Sequence, residues 1–308
     1  MKAIRWLGHA TVLLELGGAR LVTDPVLRGR IGHLTRRAAR VDPATLYMVG
    51  KGTAQLVRSR SEPRVEFLTN DHPIVLDADP RQFILLGWFR GARCVLIDVE
   101  PERSVELPEG ATFEELRPLS PLLRGDEAGL LAYARALVIW RARHRFCGVC
   151  GEPTVPERAG HVVRCTNEVC RSEFFPRLDP AIIVLVTDGE RALLGRQASW
   201  PAGRFSTIAG FVEPGESLED AVAREVMEET AVQVTSAHYD SSQPWPFPSS
   251  LMIGFHATAE PGSLVQVTGE LEAAAWFTRE QIESGGTMVP PSHAISYRLI
   301  SAWLKGRE

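Results

Sequence analysis

The chain has 308 residues, of which 44% are hydrophobic and 23% charged, and a formal net charge of -4. That length provides for two or three domains with sizeable cores, and the slight negative charge disfavours a general polyanion binder while leaving room for a local basic patch. No window approaches the eighteen or so apolar residues of a membrane helix, and His9 and Glu15 interrupt the apolar run near the start, so a soluble, cytoplasmic chain with no membrane partner is expected.

The opening stretch, "IRWLGHATVLLELGGARLVTDPVL", reads as two apolar strands joined by a turn at Gly17 and Gly18. It resembles the first hairpin of metallo-β-lactamase-like hydrolases, but their metal-binding H-x-H-x-D-H motif is absent from the sequence. Residues 1–45 are therefore read as a structural hairpin with no activity assigned.

From 46 to 142 come short strand candidates, "VEFLTN", "QFILLGWF" and "ARCVLIDVE", and then a helical pattern, "DEAGLLAYARALVIWRARH". In that helix Leu130, Leu131, Ala134, Leu137 and Val138 recur at helical spacing, which predicts one buried stripe. Cys94 is expected to be a buried strand residue.

The other four cysteines form two pairs, "CGVC" at 147–150 and "CTNEVC" at 165–170, with fourteen residues between them. Each pair can sit on a tight turn that points both sulfurs inward, so Cys147, Cys150, Cys165 and Cys170 can close a tetrahedral S4 site. Soft thiolates in that geometry favour structural Zn(II) over an iron-sulfur site, and the intracellular composition disfavours disulfides. Arg141, Arg143, His144, Arg145, Arg164 and Arg171 lie near the cluster. They read either as a solvated face or as the basic surface of a nucleic-acid-binding ribbon.

A strand, "AIIVLV", opens an α/β pattern from about 178 to the end, and within it stands "GFVEPGESLEDAVAREVMEETAV", Gly210 to Val232. Gly210, Pro214 and Gly215 mark a loop, Ser217 is a good N-cap with Asp220 three residues on, and Glu219 and Asp220 suit the start of a helix. The helix should run from near Ser217 to about Thr230. At about 100° per residue, Glu225 and Glu229 share the inward stripe of Leu218 and Val222, while Glu228 lies to one side near Arg224. Two carboxylates on an inward stripe destabilise a helix unless a cation neutralises them, and hard oxygen donors suit Mg(II) or Mn(II). A surface helix that happens to be rich in glutamate is the plainer alternative.

The full spacing G-x5-E-x7-R-E-U-x-E-E, from Gly210 through Glu216, Arg224, Glu225, Val226, Glu228 and Glu229, resembles the Nudix box. Ala231 stands where the box has a further glycine; if that position needs positive φ, alanine costs about 1 kcal/mol. By this resemblance Glu225 and Glu229 would bind metal, Glu228 would bind metal or act as general base, Arg224 would orient a glutamate, and Glu216 would support the loop.

Ten residues past the box, "SQPWPFPSS" sets Pro244, Pro246 and Pro248 alternately with Trp245 and Phe247. Read alone, it is either a stiff connection or a rigid wall with two aromatic faces for a flat ligand. It is similar to the signature of the NADH pyrophosphatase (NudC-type) Nudix subfamily, which also carries a four-cysteine ribbon before its Nudix domain, followed by an aromatic-Pro pair, here within "FFPRLDP". The resemblance spans about 140–308 and, more weakly, 46–142.

It implies an α+β chain: an N-terminal degenerate Nudix-like domain over 46–142, a zinc ribbon over 143–177 and a catalytic Nudix α/β/α sandwich over 178–308. The implied reaction is metal-dependent hydrolysis of NADH or NAD+ to NMN(H) and AMP, and removal of the NAD cap from RNA, by a homodimer. Gln243, Pro244, Trp245, Pro246, Phe247, Pro248, Ser249 and Ser250 would contact the dinucleotide, together with Ser296. Phe175 would stack on a base, or is a core residue beside the ribbon; Glu270 would be a further metal ligand, or an ordinary exposed glutamate. The other readings are a Nudix pyrophosphatase for nucleotides such as ADP-ribose and a non-catalytic zinc-ribbon protein that binds nucleic acid.

Overall fold

The computed structural model describes three N-terminal strand backbones, residues 3–6, 12–16 and 19–23, and then residues 42–58 and 62–306. The chain divides into two units, Met1–Arg177 and Leu178–Glu308.

In the first unit, β1 (Ala3–Trp6), β2 (Val12–Leu16) and β3 (Ala19–Thr23) form an antiparallel sheet in that order, with Leu16 opposite Ala19. The sequence suggests two strands here; the first apolar run instead supplies both β1 and β2. The expected turn at Gly17 and Gly18 lies outside the described residues.

A six-stranded sheet follows, built from β4 (Leu46–Lys51), β5 (Ala54–Arg58), β6 (Arg64–Val65), β7 (Ile84–Phe89), β8 (Ala92–Val99) and β9 (Ala111–Glu115). Its order is β6-β5-β4-β8-β7, with β9 on β5 and β4 parallel to β8. Two short helices, α1 (Pro73–Leu76) and α2 (Leu116–Leu119), precede α3 (Gly125–Arg143). The predicted stripe of α3 is buried throughout: Leu130, Leu131, Ala134, Leu137 and Val138. Cys94 is buried on β8 as expected, and that burial pushes its thiol well above the ordinary range. Of the strand candidates, "VEFLTN" contributes only Val65 to β6 and a bridge from Leu68 to Tyr47. The unit ends in a small antiparallel sheet of β10 (Thr154–Glu157), β11 (Val162–Cys165) and β12 (Glu173–Phe174).

The second unit is a mixed sheet covered on both faces. Its strands are β13 (Asp179–Thr187), β14 (Arg191–Arg196), β15 (Ile208–Phe211), β16 (Val234–Trp245), β17 (Ser250–Ala259) and β18 (Ala273–Thr278). The order is β16-β17-β13-β14-β18, with β15 on β13 and β13 parallel to β17. Helix α4 (Leu218–Thr230) packs on one face through Ala221, Val222 and Val226, against Ile182, Val184 and Val186. After α5 (Arg279–Glu283), helix α6 (Ile295–Leu304) covers the other face, with Leu299, Ile300 and Trp303 against Ile183 and Leu185. Successive residues of β13 thus enter opposite cores, which is why "AIIVLV" is an unbroken apolar run rather than an alternating one. No helix among the described residues is long and apolar enough to cross a membrane.

Candidate active site

Helix α4 starts where its sequence says it should. Ser217 is the N-cap: Asp220 N–H donates to Ser217 Oγ at 3.1 Å, and the Asp220 carboxylate accepts from Ser217 N–H in return. This capping box fixes the rotation of the helix and with it the direction of every carboxylate downstream. Val222 and Val226 are buried, Glu225 and Glu229 half-buried, and Glu228 exposed, in accord with the wheel.

Arg224 is the hub. Its Nε and Nη2 donate to Glu216 Oε2 and Oε1 at 3.0 and 2.7 Å, Nη1 donates to Glu225 Oε1 at 2.9 Å and Glu228 Oε2 at 3.0 Å, and Nη2 also reaches the Phe211 carbonyl at 2.9 Å. One planar guanidinium therefore braces the box loop, β15 and two carboxylates of α4. The Arg224 hydrogen bonds, reinforced by the Glu213 N–H, hold the Glu216 carboxyl down at about 2.

Gly210 departs from its expected place. The sequence reading puts it in a loop, but it lies within β15, paired with Ile182. Its glycine is required for a different reason: a Cβ built there would overlap the Glu225 carboxyl group. The missing side chain is the floor on which that carboxylate rests. At the other end of α4, Ala231 adopts the left-handed conformation, φ 57° and ψ 17°, and its N–H closes the helix on the Met227 carbonyl. The family glycine is thus replaced at a position that does have positive φ.

Glu229 lies outside the set held by Arg224. Burial first, then the charges of Glu225, Glu270 and Glu228, push its carboxyl up to about 7. Glu270 acts on Glu229 by charge from the loop between β17 and β18, which donates to the end of α4 through Gln266 N–H and Thr268 N–H. The four carboxylates form one electrostatic cluster, and they fit a hard divalent cation: the donors are all oxygens, and the like-charge crowding is what a cation relieves. Among the described residues only the cysteines bring three or more ligand atoms within 4.8 Å of one another.

The proline-rich stretch divides into a strand and a turn. Gln243, Pro244 and Trp245 continue β16, opposite Met252, Leu251 and Ser250. Prolines are tolerated here because β16 is the edge of its sheet. Residues 246–249 make the turn, with a cis peptide between Phe247 and Pro248. Pro246 is buried and Pro248 exposed. The Trp245 and Phe247 rings meet edge to face, 5.4 Å between centroids and 74° apart, so they form one L-shaped aromatic unit rather than two parallel faces.

Gln243 Nε2 donates to the His293 carbonyl, and Gln243 Oε1 accepts from Ile295 N–H, both at 2.8 Å. Its amide brackets the start of α6, where Ser296 is buried. Ser249, also buried, donates from Oγ to Asp179 Oδ2 at 3.0 Å, and Ser250 is buried beside it. The polar groups of Gln243 and Ser249 therefore serve the fold, a use their place in the motif does not disclose. Phe211 is 58% exposed immediately after Gly210, a large apolar side chain at the edge of the site that the motif spacing does not mark. Strand alternation beyond an inward-facing glycine is the signal that could have found it.

In the first unit the four thiols converge. Cys147 Sγ and Cys170 Sγ are 3.7 Å apart and Cys150 Sγ and Cys165 Sγ 3.4 Å apart, too far for disulfides and close to the edge of a tetrahedral S4 zinc site. Val149 N–H and Asn167 N–H each donate to a cysteine sulfur at 3.4 Å, the same knuckle made twice. The Ser172 hydroxyl, 3.1 Å from Cys170 Sγ, holds that thiol down at about 6. Two of the nearby basic side chains are committed locally, Arg164 to Glu157 and Glu173 and Arg141 to the Gln82 carbonyl and amide. Phe175 is 46% exposed, with the Arg158 guanidinium 5.9 Å from its ring centre, so it is not a core residue.

Three family models match in series: "NADH pyrophosphatase-like rudimentary NUDIX domain" over 44–140, "NADH pyrophosphatase zinc ribbon domain" over 142–175 and "NUDIX domain" over 177–304. The chain is 42% identical over 224 residues to "NAD-capped RNA hydrolase NudC" of Pseudomonas syringae pv. syringae, covering 72% of this chain and 77% of that one. It is 39% identical over 244 residues to the protein of the same description from Mycobacterium bovis, covering 74% and 77%. With human "NAD-capped RNA hydrolase NUDT12" it shares 43% identity over 198 residues, 59% of this chain but only 43% of that protein, so it spans less than half the length of that relative.

Proposed function

The chain belongs to the Nudix hydrolase family, in its NADH pyrophosphatase group, and on that premise we propose that it hydrolyses the pyrophosphate of NADH or NAD+. The products are NMN(H) and AMP. The same bond in an NAD cap on RNA is a substrate of the same class, since it presents the same frame of nicotinamide, riboses and pyrophosphate.

Glu225, Glu229 and Glu270 would hold Mg(II) or Mn(II), Glu228 would hold it with them or act as general base, and Zn(II) in the ribbon would be structural. The divalent cation, when bound, polarises the pyrophosphate and acidifies a water. Arg224 aims Glu225 and Glu228 from the side, and Glu228 Oε1, the oxygen it leaves free of its own hydrogen bonds, receives the proton of the attacking water. One P–O bond forms to that water as the bridging P–O bond breaks. The L-shaped pair Trp245 and Phe247 supports choice of a dinucleotide over a simple nucleoside diphosphate, because an aromatic corner rewards a second flat group. A homodimer is the active form; Phe146, Val149 and Val169, apolar and exposed on the ribbon, are side chains of the kind a second copy covers.

The observation that carries this reading is the convergence of Glu216, Glu225 and Glu228 on Arg224, with Glu225 set over Gly210. The test is release of AMP and NMN from NADH with and without Mn(II). Glu229→Gln should abolish it; an intact, zinc-loaded protein that never turns over NADH overturns the proposal.

A further inference from the structure

The carboxylates of the site come from two elements, three from α4 and Glu270 from the loop after β17. We propose that Thr268 is a positioning residue that fastens this loop to the end of α4 and thereby sets Glu270 as the fourth metal-binding carboxylate. The inference rests on the metal-dependent reading above.

The last carbonyls of a helix have no partner within it. In α4, Ala231 N–H takes the Met227 carbonyl, and the next three in sequence are taken by the loop. Thr268 Oγ1 donates to the Glu228 carbonyl, Thr268 N–H to the Glu229 carbonyl at 3.2 Å, and Gln266 N–H to the Thr230 carbonyl at 3.0 Å. Val265 and Leu271 anchor the two ends of the loop in the core beneath α4. Between them Gln266, Thr268 and Glu270 are exposed, so packing does not fix the middle of the loop; these hydrogen bonds do. Two of the bonds come from backbone and survive most substitutions. The third needs the Thr268 hydroxyl.

Gly269, at φ 71°, turns the chain between Thr268 and Glu270. Glu270 then lies two residues from an anchor seated on the backbone of Glu228 and Glu229, and its charge reaches Glu229. The geometry couples the metal-binding helix to its fourth carboxylate through three hydrogen bonds, and the Thr268 hydroxyl is the side-chain member of the set.

The experiment is Mn(II) titration of the substrate-free protein, read from the free-ion paramagnetic resonance signal, alongside metal dependence of NADH hydrolysis. Thr268→Ala should weaken Mn(II) binding about fivefold, the size of one lost hydrogen bond, raising the metal KM with kcat at saturating metal within about twofold. Thr268→Ser should return both to near parent values, and Thr268→Val, which keeps the shape without the hydroxyl, should behave as Thr268→Ala even if the alanine variant folds poorly. In a Glu270→Gln background, Thr268→Val should add nothing further. Unchanged Mn(II) binding in Thr268→Val overturns the inference, as does equal weakening in the Glu270→Gln background, which would place the effect in the helix end itself. A parent that binds no Mn(II) overturns this inference together with the metal-site reading, whereas normal parent binding with an unaffected Thr268→Val removes this inference alone.

Discussion

Arg224 and Glu216 meet through two parallel N–H to oxygen bonds, 3.0 and 2.7 Å, across eight residues of chain. That fork locks the loop before α4 to the side of the helix and leaves Nη1 of the same group for Glu225 and Glu228.

Lysine at 224 keeps the charge and loses the fork. Arg224→Lys should therefore fold normally and lower kcat/KM for NADH by about 10²-fold, the scale on which mispositioned catalytic groups act. Steady-state kinetics beside a thermal melt separates the two effects. A loss smaller than threefold would mean that charge alone matters.

Ala231 occupies a left-handed position that glycine adopts without penalty. Ala231→Gly should raise the stability of the second unit by up to about 1 kcal/mol, less whatever the freer unfolded chain takes back. Urea unfolding followed by far-UV circular dichroism reads it directly. No gain, or a loss, would show that the helix exit is relaxed with alanine.

Gln243 and Trp245 are near neighbours in different surroundings, and their variants should part company. Trp245→Ala and Phe247→Ala should raise KM for NADH and leave Mn(II) binding as it is, because they remove aromatic surface. Gln243→Ala frees the His293 carbonyl and the Ile295 N–H at the start of α6 and should cost about 1–2 kcal/mol of stability. Unchanged KM in both aromatic variants would return the stretch to a stiff connection.

Asp98 gives the first unit a pH dependence of definite sign. Burial, reinforced by Glu100 and opposed by Arg141, pushes its carboxyl up to about 6 from an ordinary 3.8. A raised acid favours folding while protonated, so its contribution is complete below about pH 4 and is lost as pH rises through 6. Asp98→Asn should flatten stability across that window and raise it at pH 7 by on the order of 2–3 kcal/mol. Melting curves at pH 4, 5, 6 and 7 test this; identical slopes for parent and variant would exclude it.

Those features written in local spacing were legible without a structure. Ser217 with Asp220 announced the helix start, the positions of Glu225, Glu228 and Glu229 followed from a 100° rotation per residue, and two short cysteine pairs announced the ribbon. Features that depend on an approach between distant segments were not. Gly210 looks like a loop residue because the carboxylate that needs its missing Cβ lies fifteen positions on. Gln243 gives no local sign that its amide will bracket His293 and Ile295, some fifty residues on. The N-terminal strands β4, β5 and β9 are short, and their pairing, β4 parallel to β8 and β9 on β5, is decided by partners remote in sequence. Proline in β16 is acceptable because, among the described residues, no strand pairs on its far side.

The last turn of α4 contains no basic residue. A helix gathers partial negative charge at that pole, and most proteins offset it with lysine or arginine. Here the pole carries Glu228 and Glu229 instead, so the fold keeps an unbalanced negative potential at the point where the carboxylates gather. A cation bound there would stabilise residues 178–308 against unfolding: the native unit should gain about 2.7 kcal/mol when Mn(II) stands at a hundred times its dissociation constant, and a melting point that rises with metal would be the thermal signature of that coupling.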